Sequence, residues 1–150
     1  MNLHGLYFED FTPGRFYATD RRTIGEADHV NFTTSFGFFE PLFMDRDYVI
    51  RETPYEKPIV PGTLTFSVAE GLTILSGILH GTGMAFLGVE LEVIKPAFIG
   101  DTVRVEIEVL DRRETKKADR GIVTFSHRVI NQNDETVMRY SIKRMIRRKS

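Results

Sequence analysis

The sequence has no cysteine. That excludes a disulfide framework and thiolate chemistry. It has no excess of either charge: 20 Lys and Arg face 21 Asp and Glu, for a formal net charge of −1. A balance of that kind gives no electrostatic case for nucleic acid or a membrane surface. No apolar run reaches the roughly 18 residues of a spanning helix, and the first residues lack the cationic start and apolar core of a signal peptide. A cytoplasmic protein is expected. No two histidines share metal-ligand spacing with an acid, so no metal is expected. Nucleophile elbows, phosphate-binding glycine loops and redox motifs are also missing, as are internal repeats and low-complexity segments.

What is present is ordinary soluble-protein composition, 41% hydrophobic and 27% charged. At 150 residues one domain, residues 1–150, is expected, burying about two-thirds of its unfolded surface. Pro13-Gly14 marks a turn, and Phe16 to Thr23 reads as a short strand. Thr23 with Glu26 has capping-box spacing, which predicts a short peripheral helix over "GEADHVNFTTS", stopping before Gly37. "DRDYVIRET" reads as a second short helix with Asp45 as its N-cap, and Pro54 and Pro58 bracket a loop.

The longest helical pattern is "GTLTFSVAEGLTILSGILHG", about residues 62–80. Leu64, Val68, Leu72, Leu75 and Leu79 follow helical spacing, and Phe66, Ala69, Ile74 and Ile78 extend the apolar surface most of the way round. Such a helix is expected to be buried. Beyond Gly81 and Gly83 the period becomes two: Val103, Val105, Ile107 and Val109 alternate with Arg104, Glu106 and Glu108, and "IVTFSHRVI" and "TVMRYSIKRMI" flank a hairpin turn, "NQNDE". A strand, a buried helix and then a meander of strands predict an α+β fold: one hot-dog domain, its antiparallel sheet wrapped around the central helix. A sheet of this size with an open edge is expected to pair with a second copy, as a homodimer at least.

One stretch fits no regular element. Residues 36–43 read "FGFFEPLF", too apolar for a surface loop and too rich in Gly and Pro for a helix. Its setting explains it. "YFEDFTPG", "TIGEADHVNFTTSFG", "PIVPGTLTFSVAEGL", "FLGVELEVIKPAFIGDTVRVEIEVLDRRE" and "GIVTFSHRVINQNDETV" occur in that order over nearly the whole chain. Together they resemble the MaoC-like dehydratases, which include the (R)-specific enoyl-CoA hydratases. The resemblance implies addition of water to a trans-2-enoyl thioester, or its removal from a 3-hydroxyacyl thioester. It implies no metal or redox cofactor, with coenzyme A entering as part of the substrate or replaced by a carrier protein. It also implies that Gly62, at the start of the central helix, offers its N–H to the thioester oxygen.

The family's acid/base loop runs Gly-Asp-x-Asn-Pro-x-His. Here Gly37, Pro41 and Leu42 keep its register, while Phe38 and Phe43 stand at the aspartate and histidine positions. Neither phenylalanine transfers a proton. Glu40 is the ionisable group left inside the stretch. It is either a substitute acid/base, its pKa raised between phenylalanines, or a surface or interface acid paired with an arginine. Asp45 is read as a helix cap, His29 as a solvated helix position, His80 as the end of the central helix, and His127 as a core or interface histidine. "DRRETKKADR" reads as a solvated turn. Two functions remain open: an acyl-CoA hydratase/dehydratase with a modified site, or a non-catalytic acyl-CoA-binding or scaffold subunit pairing with a catalytic hot-dog paralogue. A thioesterase using Glu70 ranks behind both.

Overall fold

The computed structural model describes residues 4–150. Its elements are β1 (Phe16–Ala18), β2 (Arg22–Thr23), α1 (Glu26–Phe36), α2 (Pro41–Met44), α3 (Arg46–Glu52), α4 (Gly62–Leu75), β3 (Gly83–Val93), β4 (Thr102–Glu114), β5 (Arg120–Ile130) and β6 (Thr136–Arg147). Alternation along β4 does what the pattern requires: Val103, Val105, Ile107 and Val109 are buried, and Glu108 is exposed. β4, β5 and β6 pair antiparallel in sequence order. β3 then pairs with β6, giving the order β1-β4-β5-β6-β3 with β2 beside β4. This sheet wraps α4, the hot-dog arrangement expected from the sequence. Among the described residues no helix is long and apolar enough to cross a membrane.

α4 departs from expectation in two respects. It ends at Leu75 rather than near residue 80. Gly77, at φ 85°, turns the chain out of the helix in a left-handed conformation that favours glycine, so His80 lies in the turn beyond. The helix is also buried on one broad face only: Leu64, Thr65, Val68, Ala69, Leu72 and Thr73 are covered, whereas Ile74 and Leu75 are exposed.

Glu70 fastens the buried face to the sheet. Its carboxylate accepts from Tyr140 Oη at 2.8 Å and from both Nη atoms of Arg144 at 2.8 and 2.7 Å. A carboxylate held by three donors is a structural tie, not a free thioesterase acid. His127 is fully buried beside it, stacked on Tyr140 with ring centroids 4.6 Å apart. Burial first, and then the Arg144 charge, push its imidazole down to about 3. The strand face predicts a satisfied core histidine; His127 is a core residue and neutral, but neither ring nitrogen has a hydrogen-bond partner.

The first helix begins differently from the predicted box. Gly25 is the N-cap, and Asp28 Oδ2 accepts the Gly25 N–H at 2.8 Å. Thr23 belongs to β2, its hydroxyl 2.7 Å from that of Thr102, and fully buried Ile24 fixes this register. Asp45 caps α3 as expected, accepting the Tyr48 N–H at 2.9 Å.

Candidate functional site

The candidate site lies where α4 begins. The Pro61 carbonyl takes the N–H groups of Leu64 at 2.9 Å and Thr65 at 3.2 Å. The donors of Gly62 and Thr63 are left over, as at any helix start. A Cβ at Gly62 would meet only Val93 Cγ2 at 3.5 Å, an ordinary contact, and Gly62 is not among the glycines of positive φ. Neither crowding nor backbone conformation therefore demands glycine there.

Gly62 and Thr65 line one wall of a cavity of about 340 Å³, faced by Phe43, Tyr55, Val93 and Lys95. Thr65 is buried, and its Oγ1 has no hydrogen-bond partner. Other hydroxyls on α4 bond back to the helix: Ser67 Oγ to the Thr63 carbonyl and Thr73 Oγ1 to that of Ala69, each at 2.9 Å. Thr65 does not, although an unpaired buried hydroxyl is costly. Sequence reading passed over Thr65. Its signal was helical: three residues on from Gly62, it shares the face of the helix start.

Of the stretch 36–43, one residue reaches this cavity. Gly37, at φ 74°, ends α1 in the left-handed conformation of a C-cap. Pro41 opens α2 at its first position, where no N–H is needed. Phe43 lines the cavity. Phe38 is half-buried behind it, 6.2 Å from Phe43 and 5.2 Å from Phe32 between ring centroids. His29 corrects the sequence expectation: it is buried rather than solvated. Its Nε2 lies 2.8 Å from the Phe43 carbonyl. That oxygen accepts, so Nε2 carries a proton; Nδ1 has no hydrogen-bond partner.

Glu40 is placed outside this cavity. It is exposed, its backbone carbonyl starts α2 by accepting the Phe43 and Met44 N–H groups, and its side chain makes no cap bond. It forms no ion pair among the described residues, so the expected arginine partner is not seen either. On the far side of the first turn of α4 runs an open groove of about 660 Å³ between α1 and α4, floored by Phe32, Phe36, Leu64, Val68 and Leu72. No group of three or more His, Cys, Asp or Glu among the described residues could hold a metal ion.

A family model described as "MaoC like domain" matches residues 10–131. The chain belongs to the MaoC-like dehydratase family. It is 35% identical over 111 residues to the (R)-specific enoyl-CoA hydratase of Aeromonas caviae, covering 74% of this chain and 78% of that one. Among solved structures, the monoamine oxidase regulatory protein of an Archaeoglobus species is 30% identical, with a TM-score of 0.90 over 100% of this chain and 99% of that one. A Mycobacterium tuberculosis protein described as having a double hotdog fold superposes with a TM-score of 0.87 at 21% identity, over 99% of this chain and 46% of that one. This last likeness bears on fold alone. In this chain Gly62 and Phe43 line the same cavity.

Proposed function

We propose that this MaoC-like chain binds an acyl thioester carried on coenzyme A, with the thioester oxygen at the Gly62 N–H and the Thr65 hydroxyl, and that on its own it neither adds nor removes water. One observation carries this reading. The cavity presents two uncommitted donors for an oxygen, yet among the residues lining it there is no carboxylate and no imidazole; its ionisable groups are Tyr55 and Lys95, the latter paired with Glu135. Donors suffice to hold and polarise a carbonyl. Moving water across a double bond also needs a group that takes and returns a proton, and Phe38 and Phe43 stand where the family's loop supplies that pair. No metal or redox cofactor enters the reading, which fits a cytoplasmic protein acting on a coenzyme A ester.

The reading includes a second hot-dog subunit. β3 pairs with β6 along one edge only, and Met84, Phe86, Leu87, Val89 and Val93 along it are exposed. An exposed apolar edge strand favours pairing. A second copy gives a homodimer, and a catalytic paralogue would supply the missing Asp/His pair. The rival reading, a hydratase using Glu40, is favoured by the Aeromonas relative's name and requires that exposed carboxylate to swing inward. Calorimetry with butyryl-CoA, together with absorbance of crotonyl-CoA at the enoyl-thioester band, separates the two. The expected result is binding without turnover. Hydration of crotonyl-CoA that disappears in Glu40→Gln would establish the rival, and no binding of either ester would overturn the acyl-thioester reading altogether.

A further inference from the structure

We propose that the rings of Phe38 and Phe43 are a partition that divides one acyl channel into two chambers and so restricts the length of acyl group the chain accepts. The proposal rests on the acyl-thioester reading above. Two spaces flank the first turn of α4. Gly62 and Thr65 face the cavity of about 340 Å³, and Leu64, between them in sequence, faces the groove of about 660 Å³. The material between the two spaces is aromatic. Phe32 and Phe36 line the groove and Phe43 lines the cavity. Phe38 lines neither; it fills the gap between the two walls. The ring centroids run Phe36–Phe32 5.2 Å, Phe32–Phe38 5.2 Å and Phe38–Phe43 6.2 Å, each pair edge-on or tilted.

The groove has an apolar strip that suits a hydrocarbon chain, although Arg22, Asp28, Asn31, Ser35 and Ser67 also line it. Leu64, Val68, Leu72 and Leu75 form its α4 wall, and at the helical rise these residues extend over roughly 16 Å. An acyl chain whose thioester oxygen sits at Gly62 and Thr65 would have to pass the Phe38 and Phe43 rings to reach that wall. The neighbouring Phe39 is no part of the barrier: it is 65% exposed. The phenylalanines at the family's acid/base positions thus do more than remove chemistry. They confine a ligand to the smaller chamber.

Binding of two saturated, unreactive esters tests the partition. In the natural chain, dodecanoyl-CoA should bind no more than a few-fold tighter than butyryl-CoA. Phe38→Ala should leave butyryl-CoA within about twofold and tighten dodecanoyl-CoA at least tenfold, since each methylene newly buried is worth about fourfold. Phe39→Ala should keep the natural profile. Gly71→Leu, added to Phe38→Ala, should cancel the gain, because Gly71 lines the groove and a Cβ there meets nothing within 4 Å. Phe43→Ala opens the same passage from the other side and serves if the Phe38 variant does not fold. The partition is refuted if these variants bind butyryl-CoA with an unchanged chain-length profile, or if the natural chain already gains about fourfold per methylene. Failure of every variant to bind either ester refutes instead the acyl-thioester reading on which it rests.

Discussion

Replacing Gly62 by proline removes one N–H from the site and almost nothing else. Proline fits the first position of a helix, where its fixed φ is already correct. The residue before a proline must be extended, and Pro61 already is, at φ −53° and ψ 135°. The space beside Gly62 is open as far as Val93 Cγ2, 3.5 Å from a built Cβ. The folded chain should therefore accept the change, and its unfolded state loses freedom, so stability should hold or rise by about 0.4–1 kcal/mol. Binding should move the other way. One neutral hydrogen bond is worth about 0.5–1.5 kcal/mol net, which predicts a Kd for butyryl-CoA weaker by about two- to twelvefold, taking about 1.4 kcal/mol as tenfold. Gly62→Ala keeps the N–H and adds a methyl group, so it controls for bulk and should stay within about twofold. Isothermal calorimetry gives the affinities and thermal unfolding gives the stability. A proline variant that binds as well as the natural chain would refute the assignment of the donor, and so would an alanine variant that loses as much as the proline one.

Thr65→Val removes the unpaired hydroxyl while keeping its shape. The free protein should gain about 1 kcal/mol in urea denaturation, because a buried unsatisfied group is lost, and butyryl-CoA should bind several-fold more weakly; loss of both stability and affinity would mark Thr65 as merely structural. Phe38→Asp with Phe43→His restores the family's pair, with residue 43 on the cavity beside Gly62, and hydration of crotonyl-CoA should appear; a variant that binds crotonyl-CoA without turning it over would show that the cavity itself has diverged. His127 is held neutral in the fold at about 3, while the unfolded chain takes up a proton near pH 6.5. Its contribution is therefore complete above pH 6.5 and is lost as pH falls towards 3, at up to about 1.4 kcal/mol per pH unit. His127→Phe, which keeps a ring against Tyr140, should flatten the stability–pH curve in that window, and an unchanged slope would refute the attribution.

Much of this architecture was legible because it follows from local chemistry. The alternation of Val103 to Val109 fixes a strand face whatever surrounds it, and Asp45 caps α3 by a bond to Tyr48, three residues on. What escaped reading depends on contacts across the fold. The predicted Thr23/Glu26 box gave way to Gly25 and Asp28 because Thr23 is claimed by the sheet opposite Thr102. The central helix was drawn too long because leucine periodicity continues through residues 78 and 79, whereas the left-handed turn at Gly77 cannot be told in advance from a glycine inside a helix. His29 looked solvated because its partner, the Phe43 carbonyl, lies beyond a turn that sequence does not fold. Thr65 was overlooked because a helical threonine ordinarily satisfies itself on its own backbone, and its failure to do so appears only in three dimensions.

The bond from His29 bears on how the site could lose its chemistry and keep its shape. It ends on the backbone carbonyl of residue 43, not on that residue's side chain. Gly37 and Pro41 likewise shape the stretch through backbone conformation. None of these three constraints depends on which side chains stand at 38 and 43. The loop can therefore exchange an acid and a base for two phenylalanines without moving relative to Gly62. A site altered in this way should still hold a thioester oxygen, while lacking the carboxylate and imidazole of the family's pair. The same independence of side chain and backbone makes the paired reversal, Phe38→Asp with Phe43→His, a test of chemistry rather than of folding.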